Sequence, residues 1–386
     1  MRVGIVLTTT LMGGVQKRFA QLLSHLSSFS NNEYTLILQE EMLSQLQRQR
    51  LLLKPNLNIT ILPRSTLLSV HNRMLAYRIS GRGVRGVVRI LSPIARRILS
   101  TAIQDLSTKF DILHYCTSFI GLNMPRYVPL VTEEVYSYSA HKPNRQVLSW
   151  LTNGAYVSCL TETIAQKYKQ LISDSEAVKR IFVAPCSFID YSRVSVAQKE
   201  RLIAFSGRME KLKNPELFVS AIEILAKRRK DFRAVMLGYG SLQHKVDHLI
   251  SKKNMSSIVS RYYSTDPLSV LRKASIFVSL QEFDNYPSQA LMEGMASGCA
   301  VIASDRGETK KLVTDDVGFL VPLCAEAIAE RMNQMLDQYD KTIAMGQRAR
   351  EKVMEEHTVE RYTAYLEGIY KRIIQDQQQK SLKTYQ

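Results

Sequence analysis

The feature that most constrains this chain is an alternation of short β-branched runs with longer amphipathic stretches, sustained along almost its whole length. Parallel strands need a crossover of a dozen or more residues between them, so this alternation predicts parallel sheets covered by helices. In the first half the strand candidates are Arg2–Thr8, Tyr34–Gln39, Asn58–Leu62, Asp111–Tyr115, Pro129–Thr132, Ala155–Leu160 and Ile181–Ala184. In the second half they are Leu202–Ser206, Arg233–Leu237, Ile258–Tyr262, Ser275–Leu280, Ala300–Ala303 and Gly318–Val321. Each set suffices for its own doubly wound sheet. At 386 residues the chain also exceeds what one hydrophobic core sustains. The expected class is therefore α/β, with two Rossmann-like doubly wound domains, 1–192 and 193–358, joined near Asp190–Lys199. The stretch Val359 to Ile374 places Tyr362, Leu366, Ile369 and Tyr370 on one helical face. That stripe needs a surface, and the segment 359–376 is expected to cross back onto the first domain.

Composition narrows the class. An apolar fraction of 45% and a charged fraction of 23% are those of an ordinary globular protein. Cys116, Cys159, Cys186, Cys299 and Cys324 are scattered, with no C-x-x-C pair, which argues against a disulfide framework or a cysteine zinc site and suits a reducing cytoplasm. The apolar run Val3 to Leu7 is too short for a signal-peptide core and reads as a buried first strand. The most nearly membrane-like stretch, Gly86 to Leu99, is interrupted by Arg89, Pro93, Arg96 and Arg97, so no transmembrane helix is expected. The tail after Gln375 is expected to fray.

The net charge is +17, and from Met42 to Gln104 there is no acidic residue at all. A one-sign field of this kind attracts polyanions; the other reading is a solvated basic face. Within it, Arg82 to Leu99 sets Arg85, Arg89 and Arg96 on one helical face and Val87, Leu91, Ile94 and Ile98 on another, with Pro93 expected to kink or divide the helix. A basic amphipathic element without acids reads as interfacial, lying on an anionic leaflet; a purely packed helix is the alternative.

Two constellations carry chemistry. The first, Ser206-Gly207-Arg208-Met209-Glu210-Lys211-Leu212-Lys213-Asn214-Pro215, follows the strand Leu202–Ser206. Gly207 lets the backbone approach a ligand at a strand's carboxyl end, where open α/β sheets bind. Arg208 offers a planar fork for phosphate oxygens and Lys213 a point charge, so the two can converge on one diphosphate. The second runs from Glu282 to Gly298, after the strand Ser275–Leu280. Pro287 suits a first helical position and Gly298 the position just past the end. The free N–H groups of Ser288 and Gln289 then make an anion site at the helix N-terminus. Glu293, expected about two turns in, can accept hydrogen bonds from a ribose diol.

In this order and spacing the two constellations resemble the donor site of the retaining GT-B glycosyltransferases of family 4. Gly13-Gly14-Val15-Gln16 resembles that family's N-terminal glycine loop, Gly238-Tyr239-Gly240-Ser241-Leu242 its G-x-G-x-L, and Ala300 to Glu308 the strand and loop after the glutamate helix. The resemblance spans nearly the whole chain and is strongest from 202 to 322. It implies two domains facing across a cleft, the first on the acceptor side and the second binding the nucleotide-sugar donor. It further implies that Arg208 and Lys213 hold the donor diphosphate and stabilise the leaving nucleotide, that Glu293 binds the ribose, and that Gly14 approaches the phosphate or the acceptor. Catalysis would be electrostatic, retaining and metal-independent. No cofactor is expected beyond the donor substrate, a UDP- or GDP-sugar. The expected partners are a glycan or lipid-linked acceptor, as in surface-polysaccharide synthesis, and the inner face of the cell membrane; nucleic acid is not expected.

The chain departs from the family pattern twice. Where the family's Glu-x7-Glu places its first glutamate there is Asn285, preceded by Asp284 and, three positions earlier, Glu282. Either Asn285 takes the sugar contact or a bulge brings in Asp284. After the strand Pro129–Thr132, where the family often has a histidine, stand Glu133 and Glu134, with His141 further on. His114 ends a strand and reads equally as cleft-facing or packed. His244 and His248, with Asp247 between, lack a third ligand and read as a solvated face. A nucleotide-sugar epimerase of the same fold would need acid and base groups that cannot be placed. A nucleic-acid-binding protein would lack any recognisable reading motif. No strand is followed by G-x-G-x-x-G, which excludes a typical dinucleotide oxidoreductase.

Overall fold

The computed structural model describes residues 1–8, 14–26, 30–49, 51, 57–80, 85–116, 122–134, 143–183, 188–284 and 286–384. Two compact units emerge, Met1–Pro185 with Val359–Gln386, and Cys186–Thr358. Residues 188–192, expected in the first domain, group with the second unit.

The first unit holds a seven-stranded sheet of β1 (Arg2–Leu7), β2 (Glu33–Leu38), β3 (Asn58–Ile61), β4 (Ile112–Tyr115), β5 (Leu130–Glu134), β6 (Tyr156–Cys159) and β7 (Ile181–Val183), in the order β3-β2-β1-β4-β5-β6-β7. The second holds a six-stranded sheet of β8 (Glu200–Ser206), β9 (Arg233–Leu237), β10 (Val259–Tyr262), β11 (Ala274–Ser279), β12 (Ala300–Ser304) and β13 (Gly318–Val321), in the order β10-β9-β8-β11-β12-β13. Every pairing is parallel. In each sheet the chain starts at an inner strand, builds to one side, then returns to build the other. The strand order therefore reverses between β1 and β4, and between β8 and β11, which opens a crevice outside the carboxyl ends of those strands.

Strand alternation explains the two-sided core of the second unit. Ile276 and Val278 of β11 enter one cluster with Ile203, Phe205, Met236 and the helices Pro215–Arg228 and Ala325–Asp337. Phe277, between them, enters the other with Ala204, Val235, Val301 and the helices Gln289–Ala296 and Tyr339–Glu356. Burial on both faces is what makes these strands nearly continuous apolar runs rather than alternating ones.

In the first unit the closing helix, Val359–Thr384, buries Tyr362, Leu366, Ile369, Tyr370 and Ile373. Glu367 on it accepts hydrogen bonds from Asn32 (2.9 Å) and Tyr34 (3.3 Å), anchoring it beside β2. The helix Arg85–Ser107 runs unbroken through Pro93 instead of dividing there. Its buried apolar side chains include Val88, Ala95, Leu99 and Ile103, while Leu91 and Ile98 of the other apolar stripe are half-buried. Val87, Ile90 and Ile94 are exposed, at 44%, 70% and 41% of full accessibility, beside exposed Arg89, Arg96 and Arg97. Among the described residues no helix is long and apolar enough to cross a membrane.

Candidate functional site: a cationic switch point in the second unit

At the carboxyl end of β8 the chain passes into Gly207 and Arg208, and next to it β11 ends before Gln281 and Glu282. The loop after β8 lies backbone to backbone on the loop after β9: Gly207 N–H donates to Leu237 O (2.9 Å), Met209 N–H to Tyr239 O (2.9 Å), and Leu242 N–H to Met209 O (2.8 Å). Glycines make this approach possible. A Cβ on Gly238 would stand 1.9 Å from Gly207 O, and one on Gly240 2.5 Å from Met209 O. A Cβ on Gly207 itself would meet nothing within 4 Å, so that loop presents bare backbone to open space.

The 3-10 turn Lys211–Lys213 and left-handed Asn214 (φ 50°) then lead into the helix that Pro215 begins. They fold Lys213 back under the loop, where it is half-buried and donates to Gln281 Oε1 at 2.6 Å. Desolvation, then the nearby Arg208 charge, lowers the Lys213 ammonium to a pKa of about 8. Arg208 remains exposed. Both cations thus follow the same strand end, close enough for the Arg208 charge to act on Lys213. Asn214 Nδ2 ties the turn to the neighbouring strand end through Leu280 O (3.2 Å) and Glu282 Oε2 (3.2 Å), and Glu282 N–H donates to Leu212 O (3.0 Å).

Asp284 has a binding job of its own inside the fold. Its Oδ1 accepts from the N–H groups of Tyr286 (3.3 Å) and Glu308 (3.2 Å). Gly307, at φ +52°, presses so close that a Cβ there would lie 2.1 Å from Asp284 Cγ. The carboxylate therefore staples the loop after β11 to the loop after β12. Asn285 lies outside the described residues.

The next helix is Gln289–Ala296, with Ser288 as its N-cap. Pro287 precedes the cap rather than opening the helix, and Glu293 stands just over one turn in, not two. Ser288 is buried, and its side chain makes no capping hydrogen bond. Ser279, Gln281, Ser288, Ser304 and Leu291 line a narrow recess in front of this helix start. Gln289 Nε2 reaches Glu293 Oε1 and Phe188 O, both at 3.4 Å, and Glu293 is half-buried.

Several determinants were not read from sequence. Gly294 seats the helix on β11: a Cβ there would be 2.4 Å from the Phe277 ring. Lys199 donates to Ser297 O (2.6 Å) and Ala274 O (2.9 Å), and Arg350 to Ala296 O, so two cations meet the negative end of the helix. Gln281 was missed because a lone polar residue at a strand end carries no pattern. The cations lie 54 or more residues from the carbonyls they serve, which no local window links. His244 and His248 do not form a metal pair with Asp247, which is bound to Arg261 (2.5 Å). Among the described residues no three potential metal ligands come together.

In the first unit Gly14 opens the helix Gly14–His25, while Gly13 and His141 lie outside the described residues. Glu133 and Glu134 belong to β5 itself and are buried. Glu133 pairs with buried Arg18 and accepts from Tyr362 OH (2.8 Å), and Glu134 accepts from Tyr168 OH (2.5 Å). His114 is packed, not cleft-facing. It is wholly buried, edge-on to Phe19 and Tyr370, with Nδ1 2.6 Å from Tyr370 OH. Burial, then the Arg18 charge, lowers it to a pKa of about 3, so it is neutral.

Residues 189–352 match the family Glycosyl transferases group 1. The chain is also similar, at 13% identity and a TM-score of 0.74, to the crystal structure of Anabaena Alr3699/HepE in complex with UDP and glucose, covering 96% of this chain and 99% of that one. The fold is that of the GT-B glycosyltransferases. Among curated relatives, a D-inositol 3-phosphate glycosyltransferase of Corynebacterium aurimucosum is 29% identical over 159 residues, 39% of this chain and 38% of that protein. An alpha-1,4-N-acetyl-D-galactosaminyltransferase of Campylobacter jejuni acting on a diNAcBac-PP-undecaprenol glycan is 25% identical over 215 residues, 54% of this chain and 57% of that protein. The match thus spans between about two fifths and three fifths of these relatives. The switch point of β8 and β11, with both cations, falls inside the matched segment of the GT-B fold.

Proposed function

We propose that this protein is a retaining glycosyltransferase of family 4 that moves a sugar from a UDP- or GDP-sugar to a hydroxyl of a glycan or lipid-linked acceptor. The observation that carries this reading is the meeting of Arg208 and Lys213 at the carboxyl end of β8, within the segment similar to Glycosyl transferases group 1. In the proposed complex the guanidinium fork and the ammonium hold the diphosphate. Charge that grows on the departing nucleotide meets preorganised cations, so neutralisation needs no metal ion. Glu293, one turn into its helix, accepts from the ribose hydroxyls; Ser288 and Gln289 present the helix start to the phosphates. Asn285 takes the transferred sugar, since Asp284 is engaged between Tyr286, Glu308 and Gly307.

Calorimetric titration with UDP, GDP and their sugar conjugates, without added metal, tests the reading. Binding of one nucleotide, weakened in Arg208→Ala, Lys213→Ala and Glu293→Ala, is the expected outcome. A folded protein that binds neither nucleotide would refute it.

The acceptor is proposed to lie at the inner face of the cell membrane, as in assembly of surface polysaccharides. Its support is the helix Arg85–Ser107, which exposes Val87, Ile90 and Ile94 beside Arg89, Arg96 and Arg97, with no acid on it before Asp105. Apolar side chains ringed by cations suit an anionic leaflet. Sedimentation with anionic vesicles should be lost when Arg89, Arg96 and Arg97 are reversed to Glu; unchanged sedimentation would sink the idea.

A further inference from the structure

We infer that Gln281 is a positioning residue, which fixes the Lys213 ammonium toward the β8–β11 switch point through a neutral acceptor. This deepens the donor-site reading above and rests on it. Gln281 Oε1 takes one ammonium N–H at 2.6 Å, and a lysine ammonium has only three donors to place. Gln281 is held in turn. Its Nε2 donates to Ser279 Oγ (3.3 Å), and its backbone carbonyl accepts from Ser304 Oγ (2.8 Å), so β11 and β12 both fix it. The side chain thus spans from Lys213 to the recess before the Gln289–Ala296 helix.

The choice of an amide matters. A carboxylate at this position would form an ion pair with Lys213 and cancel the charge a diphosphate needs. An amide oxygen orients the ammonium and leaves its charge in place. The surrounding charges are arranged to the same end. Arg208 on the same loop adds a second cation, while Glu282, next to Gln281, directs its carboxylate to Asn214 Nδ2 (3.2 Å). Glu210 is likewise occupied, by the Ser241 N–H (2.9 Å) and hydroxyl (2.6 Å). The loop's own acids are therefore engaged elsewhere, and the neutral amide is what Lys213 meets.

The experiment has two arms on the full chain. In the first, without ligand, the titration of Lys213 is read by pH-dependent acetic anhydride labelling and mass spectrometry. The wild-type midpoint is expected near a pH of about 8. Gln281→Glu should raise it by about one unit, and Gln281→Leu, which keeps the bulk but removes the acceptor, should lower it. In the second arm UDP and GDP affinities are measured at neutral pH. Gln281→Glu and Gln281→Leu should each weaken the bound nucleotide roughly tenfold. In a Lys213→Ala background Gln281→Leu should add nothing further. Unmoved labelling midpoints, or an equal loss from Gln281→Leu with and without Lys213, overturn the inference. If neither nucleotide binds but the midpoints move as stated, the positioning stands and the donor-site reading falls.

Discussion

The two units share one topology and use charge at it in opposite ways. In the first, the residues around β4 and β5 spend their charge on one another. Arg18 and Glu133 are 4% and 3% exposed, Tyr362 closes on the same carboxylate, and His114 sits neutral against Tyr370. In the second, Lys213 carries the influence of the Arg208 charge, and among the described residues no carboxylate pairs with it, at the cost of a depressed ammonium. Desolvation of the ammonium, with the Arg208 charge added, is unfavourable in the resting fold. The lesson is that the same strand reversal can be sealed by ion pairing or left poised for an anion. The first arrangement closes its charges inside the fold, and on the proposed function the second is the one that meets the donor.

Breaking the sealed side should have the largest effect. Glu133→Ala leaves the Arg18 guanidinium buried without its partner, a loss of about 3–5 kcal/mol. Hydrogen exchange at the β5 amides should report it as a collapse of protection there, with the second unit's β11 amides less affected. The closing helix should loosen with it, because Tyr362 loses its acceptor. The same network is sensitive to acid. His114 has a folded pKa of about 3, below the ordinary value of 6.5, so the unfolded chain takes up its proton first. Its contribution is present above the ordinary value and is lost as pH falls from there toward the folded one. His114→Gln should flatten that acid limb in urea unfolding measured across the range.

Breaking the poised side should leave stability nearly alone and strike binding. Arg208→Ala and Lys213→Ala each remove a charge-assisted contact, expected to weaken nucleotide affinity by about 1.5–3 kcal/mol, or roughly ten- to a hundredfold. Urea midpoints for Arg208→Ala should stay within about 0.5 kcal/mol of wild type, since the side chain is exposed. A large stability loss in that variant would mean that its charge is spent within the fold, as in the first unit. A smaller effect belongs to the staple between the two loops. Gly307→Ala forces an L side chain into φ +52° and against Asp284, at about 1–2 kcal/mol, and should be visible as faster exchange of the Glu308 amide.

Both sheets were legible in the sequence because buried parallel strands are short, contiguous and β-branched. Each of the strands, from Arg2–Leu7 to Gly318–Val321, lies within a residue or two of its expected bounds. Helix faces were harder. The helix Arg85–Ser107 carries apolar residues on more than one face, and periodicity picked out the stripe of Val87 and Ile94 without revealing that the fold packs Val88 and Ala95. At the site, the glycine and cation pattern after β8 was local and therefore readable. The partners of those residues were not. Gln281 meets Lys213 across 68 positions, Lys199 meets Ser297 across 98, and Arg18 meets Glu133 across 115. Only the strand order brings such pairs together. A glutamate pair where a histidine was sought looked like a defect in a motif. Glu133 is the acidic half of a buried ion pair with Arg18, and Glu134 accepts from the Tyr168 hydroxyl.

The smallest expected effect also gives the sharpest contrast, because Lys213 should make stability and binding move in opposite directions with pH. Its folded pKa of about 8 lies below the ordinary 10.5, so the fold disfavours the cation that the unfolded chain keeps. The penalty is full below the folded value and is relieved as pH rises from there toward the ordinary one. Because the side chain is only half-buried, water screens much of it, and the gain in unfolding free energy should be no more than about 1 kcal/mol. Over the same window the neutral amine loses its hold on a diphosphate, so nucleotide affinity should fall. Lys213→Met should abolish both trends at once. Parallel loss of stability and affinity in the wild-type protein, persisting in Lys213→Met, would assign the alkaline limb to another group and remove the contrast between the poised and the sealed switch point.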